Sequence, residues 1–95
     1  MKNLDQIKKV VKKTLTKPLG KVSITKIDVV EGVDADGDDI LRISVIYDGG
    51  PEDLNPEKLL GITRILRDEL DTIGEQAYPL VSFISKTEYE IYKEE

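Results

Sequence analysis

Residues 22–48 constrain the fold more than any other stretch of this chain. Two runs rich in Val, Ile and Thr, residues 22–31 and 40–48, flank the acidic loop Gly32-Val33-Asp34-Ala35-Asp36-Gly37-Asp38-Asp39. β-Branched residues fit the pleated surface of a strand, and so short a connection makes antiparallel pairing the natural outcome. The second run alternates cleanly. Leu41, Ile43, Val45 and Tyr47 point one way and form the expected core; Arg42, Ser44 and Asp48 point the other, with Ile40 and Ile46 as apolar exceptions. The first run is less regular, because Val22 and Ile24 share one parity and Ile27 and Val29 the other. That change predicts a β-bulge near Lys26, or a strand whose two ends are covered on different sides.

Amphipathic helices flank this hairpin. Leu4, Ile7, Val10, Val11 and Leu15 recur at helical spacing over residues 3–16, with Asn3 and Gln6 placed as a capping box. Pro18 disfavours α geometry at Lys17, so the helix is expected to stop there. Asp48-Gly49-Gly50-Pro51 is a turn. Asn55 as N-cap and Pro56 at the first helical position open a second helix over residues 55–73, with Leu59, Ile62, Leu66, Leu70 and Ile73 as its buried stripe. Gly61 lies inside that stripe, where glycine costs about 1 kcal/mol relative to Ala and marks a kink or close contact. Gly74 suits the helix C-terminus. Pro79 opens a third strand over residues 80–85, and Thr87 with Glu90 forms a capping box for a last short helix to about Glu94.

The order is therefore α-β-β-α-β with a short C-terminal helix. It predicts one α+β domain over residues 1–95, a two-layer sandwich of a three-stranded sheet with helices on one face. Any parallel crossover through the second helix should be right-handed. The other face is expected to stay partly apolar through Ile27, Val29, Ile40, Ile46 and one side of the third strand, which invites a partner.

Composition narrows the chemistry. The 95 residues include no cysteine and no histidine, which removes thiol catalysis, disulfides, histidine general bases and most zinc sites. No Walker-type or dinucleotide glycine pattern is present, and Gly49-Gly50 runs into Pro51. The polar start and the lack of a long apolar run lead us to expect a cytoplasmic protein without a membrane span. No cofactor is implied, and a non-enzyme is expected. The net charge of −5 is unevenly spread: residues 1–26 hold eight lysines against Asp5, and the remainder is strongly acidic.

Three features can carry function. Asp34, Asp36 and Asp38, with Asp39 beside them, offer hard oxygen ligands to calcium or magnesium. The spacing is not that of an EF-hand, since Gly37 is fourth from Asp34 and the twelfth residue is Val45. A solvated hairpin loop explains the same residues. Lys8, Lys9, Lys12 and Lys13, with Lys2, Lys17 and Lys21 nearby, form a basic arc that can neutralise nucleic-acid phosphates or lie on anionic lipid; its plainer role is the outer face of a packed helix. Arg64 with Asp68, and Arg67 with Asp71, have the i,i+4 spacing of surface ion pairs. Tyr89, Ile91 and Tyr92 on the terminal piece can cover the sheet or meet a partner.

Ile65-Leu66-Arg67-Asp68-Glu69-Leu70, followed by Tyr78-Pro79-Leu80-Val81-Ser82-Phe83, is similar to a helix end and Pro-started strand of ribosome-binding factor A. The element order likewise resembles that family and, more broadly, type II KH-like domains. The resemblance implies a KH-like fold and an RNA- or ribosome-associated role. The chain departs from the family in having Asp68, Glu69, Asp71 and Glu75 where the family is basic, and it lacks a Gly-x-x-Gly clamp. Taken together, the residues favour a non-catalytic protein-interaction module, binding another protein or a second copy of itself through the outer sheet face. RNA binding through the lysine arc and divalent-ion binding by the loop are the alternatives.

Overall fold

The computed structural model describes residues 3–20 and 22–94. The elements run α1 (Leu4–Leu19), β1 (Ser23–Val33), β2 (Asp39–Asp48), a 3₁₀ turn (Pro51–Asp53), α2 (Pro56–Leu59), α3 (Ile62–Asp71), β3 (Tyr78–Ser85) and α4 (Lys86–Glu94). The sheet has the order β1-β2-β3, with β1 antiparallel and β3 parallel to the central β2. This is the α+β layout that the residue pattern predicts.

α1 starts where expected: the Asn3 side chain accepts a hydrogen bond from the Gln6 amide at 3.0 Å. Its end differs. The helix runs through Pro18 to Leu19, and Gly20, at φ +57°, donates its amide to the Thr16 carbonyl. Pro18 forfeits one backbone bond in the last turn, while the added residues bury Leu19 beside Ile7, Val11 and Leu15. Burying a Leu side chain contributes about 1.5–3 kcal/mol, enough to offset the lost bond.

The bulge is present. Ile24 pairs with Tyr47 and Lys26 with Ile46, leaving Thr25 as the extra residue, its hydroxyl bonded to the Ile46 carbonyl at 3.2 Å. The extra residue also corrects one expectation. Ile27 and Val29 do not lie on the outer face; they are buried in the helix-side core opposite Val45 and Ile43, because the bulge resets the alternation midway along β1.

The second helix is two helices. Leu60 is extended and Gly61 is left-handed at φ +79°, so the chain breaks between α2 and α3 rather than kinking. Asn55 caps α2 as predicted, accepting from the Glu57 amide at 3.0 Å. Ile62, Leu66 and Leu70 of α3 are buried, with Leu59 and Ile73 packed against the same cluster. α1 and α3 pack on each other and on the sheet, closing the core over Leu41, Ile43, Val45 and Tyr47.

α4 follows β3 without a loop. Its cap is not Thr87 with Glu90 but Ser85 with Glu88: the Ser85 hydroxyl donates to the Glu88 carboxylate, and the Glu88 amide donates back to Ser85 Oγ, both at 3.2 Å. Ser85 is the last strand residue, so the shift places the helix start two residues earlier. α4 contacts β2 and β3, and its Tyr89 hydroxyl meets Lys26 Nζ at 2.7 Å. Lys26 lies beside Ile46 in the β1–β2 register, which places α4 on the sheet face opposite α1 and α3. Among the described residues, no helix is long and apolar enough to cross a membrane.

Candidate functional site

The outer sheet face is built from residues that alternate with the core. Reading across the strands, one row is Val30–Arg42–Leu80, the next Asp28–Ser44–Ser82, and the next Lys26–Ile46–Ile84. The last row lies under α4, and Ile46 there is only 1% exposed. Lys26 completes this end by donating to Tyr89, stacking over its ring at 5.1 Å and pairing with Asp28 at 3.6 Å. These contacts, Tyr89 first and Asp28 next, raise the Lys26 pKa above its ordinary value.

At the other end the face is open. Val30 is 59% and Leu80 44% exposed, on either side of an exposed Arg42. Ile40 is buried even so, between Gly32 and Tyr78 in the neighbouring strands. The face thus presents two separated aliphatic side chains flanking a guanidinium that makes no ion pair among the described residues. That arrangement can take an aliphatic surface carrying an acceptor or carboxylate, with the planar guanidinium giving directional recognition.

The acidic loop is ordered by its own hydrogen bonds. Asp34 Oδ1 accepts the amides of Asp36 and Asp38, both at 2.9 Å, and the Asp34 amide donates to the Asp38 carbonyl. Gly37, at φ +85°, supplies the left-handed turn residue. The structure does bring Asp34, Asp36 and Asp38 together, with one carboxylate oxygen from each within 4.8 Å of the others. All three are exposed, and the Asx-type hydrogen bonding accounts for their convergence. Asp39 is the first residue of β2 and shares a shallow concavity with Glu75 and Tyr78.

Lys9, Lys12 and Lys13 are exposed along α1 and Lys8 is half-buried; none makes an ion pair among the described residues. Lys2 and Lys21 lie outside the described residues. The helix pairs expected on α3 are not closed. Arg67 instead stacks on the Tyr78 ring at 5.2 Å, and with Arg64, Asp71 and Glu75 it lines an open groove between α3 and the start of β3. Sequence spacing missed this stacking because Tyr78 is distant in the chain; an Arg facing an aromatic at a strand start leaves no short-range signature. On α4, Tyr89 is half-buried and Ile91 is 58% exposed, whereas the Tyr92 side chain lies outside the described residues.

No family model, curated protein or solved structure matches this chain.

Proposed function

We propose that this chain is a non-catalytic interaction module that binds another protein through the open half of its outer sheet face. The observation that carries the reading is the Val30–Arg42–Leu80 row, where two exposed aliphatic side chains flank an exposed guanidinium at the end α4 leaves uncovered. Residues that exclude water around one directional polar group are the ordinary composition of a docking patch. Affinity capture with the wild-type chain and with Leu80→Glu and Arg42→Glu variants tests it. The expected outcome is a captured species retained by the wild type and lost in both variants, whose folding is unchanged by circular dichroism. Equal capture by all three chains would refute it.

A second reading, RNA binding along α1, is favoured by the exposed Lys9, Lys12 and Lys13, which make no ion pair among the described residues. It requires binding to structured RNA that falls steeply with salt and drops when Lys8, Lys9, Lys12 and Lys13 become Ala. No retention on RNA at low salt would end it.

A further inference from the structure

We infer that a second copy of this chain pairs with it along the free edge of β1, antiparallel and centred on Val30, joining two three-stranded sheets into one of six strands.

β1 has β2 on one side only, so its other edge offers backbone donors and acceptors that a strand can use. The two ends of that edge differ. The first half carries the bulge at Thr25, which discourages pairing. From Ile27 to Val33 there is neither lysine, proline nor bulge, and this half carries two exposed aliphatic residues, Val30 at 59% and Val33 at 61%. The opposite edge of the sheet, β3, has Pro79 as its second residue, which removes a donor.

Charge then selects a register. In an antiparallel pair across a two-fold axis, opposed residues share a face, so the axis passes through a residue. Centring on Asp28 or Glu31 sets like charges against each other. Centring on Val29 sets Asp28 against Val30 and Glu31 against Ile27, and gains no charge pair. Centring on Ile27 matches Lys26 with Asp28 but carries the ladder across the bulge. Centring on Val30 opposes Val30 with Val30, Glu31 with Val29, Asp28 with Gly32, and Val33 with Ile27. It also brings Lys26 to Asp34 of the other copy at both ends. This register covers both exposed valines, sets no like charges directly opposite each other and stops short of Thr25. The inference shares Val30 with the docking face proposed above but depends on neither its occupant nor Leu80.

Light scattering and sedimentation of the whole chain from micromolar to millimolar concentration test it, together with amide exchange. The expected result is a mass that doubles with concentration. Amides of β1 beyond Thr25 should gain protection in step, while those of β3 stay unchanged. Val30→Lys, which sets two ammonium groups face to face at the axis, should leave a folded monomer throughout that range. Leu80→Lys should leave the dimer intact, even where it abolishes capture of a different protein. A wild-type chain monomeric at every concentration would overturn the inference, as would a dimer that survives Val30→Lys or protects β3 instead.

Discussion

The two faces of the sheet are made from the same three strands but are held in different ways. Toward α1 and α3, Leu41, Ile43, Val45 and Tyr47 merge with Ile27, Val29, Val11, Leu15, Leu66 and Leu70 into one continuous cluster. On the other face, Ile40 and Ile46 are equally buried yet belong to no such cluster. Ile46 depends on α4, a helix too short to be stable alone. One face is therefore closed by mutual packing of long elements, and the other by a single attachment that leaves Val30 and Leu80 open. Low exposure alone does not show how firmly a side chain is held; the number of independent elements covering it does.

Substitutions can break or sharpen that contrast. The largest effect is expected at Leu66→Ala, in the middle of the closed face, where loss of transfer energy plus a cavity costs about 2–5 kcal/mol. Urea unfolding should show it as a lower midpoint with the slope preserved. Ile46→Ala removes similar apolar bulk, but α4 can settle into the gap, so the cost should fall toward the lower end, about 2 kcal/mol. If Ile46→Ala matched Leu66→Ala, the two faces would be equally rigid and the contrast would fail.

Ser85→Ala should cost about 1 kcal/mol through loss of the cap. It should also raise amide exchange in α4 more than in α1 or α3; uniform exchange would show that α4 is not separately attached.

The smallest effect at neutral pH is at Tyr47. Burial, with the carboxylates of Glu88, Glu52 and Asp53 adding to it, raises this phenol above its ordinary pKa near 10. The folded state then holds the proton longer than the unfolded state. Its stabilising effect is complete below the ordinary pKa and is lost as pH rises through the raised one. Denaturant titrations above pH 10 should show stability declining in the wild type and a shallower decline in Tyr47→Phe. Identical slopes would contradict the assignment.

Much of this architecture is legible in the sequence where signals are local. The hairpin, the caps at Asn3 and Asn55, the Gly74 stop and the core residues of β2 all follow from spacing and turn chemistry. Failures came where one residue decided a longer-range outcome. Thr25 moves Ile27 and Val29 to the other face, and parity can locate such a bulge without telling which side gains. Pro18 did not stop α1 because burial of Leu19 outweighed a lost hydrogen bond, and Gly61 became a full break because its left-handed conformation costs glycine little. At the candidate site, the pattern places Ile40, Ile46 and one side of the third strand on the outer face, where Leu80 and Ile84 do lie; Val30 takes the place of Ile27 and Val29, and α4 covers part of the area. The acidic loop is legible as a hairpin turn, whereas the bonding of Asp34 to two amides leaves no signature in residue spacing.

The mixed sheet has a consequence for the order of assembly. β1 meets β2 across residues 34–38, whereas β3 can join β2 only after residues 49–77 have been traversed. Closing the longer loop costs more chain entropy, and its return comes only when α3 docks. The hairpin should therefore be formed in the folding transition state, with β3 and α4 arriving afterwards. Kinetic φ-values near one at Val29 and Ile43 and near zero at Val81 would show that sequence; equal values along all three strands would exclude it. Until β3 arrives, β2 has an unsatisfied edge in a half-folded chain. The central strand of the finished protein is thus, for a time, an edge strand.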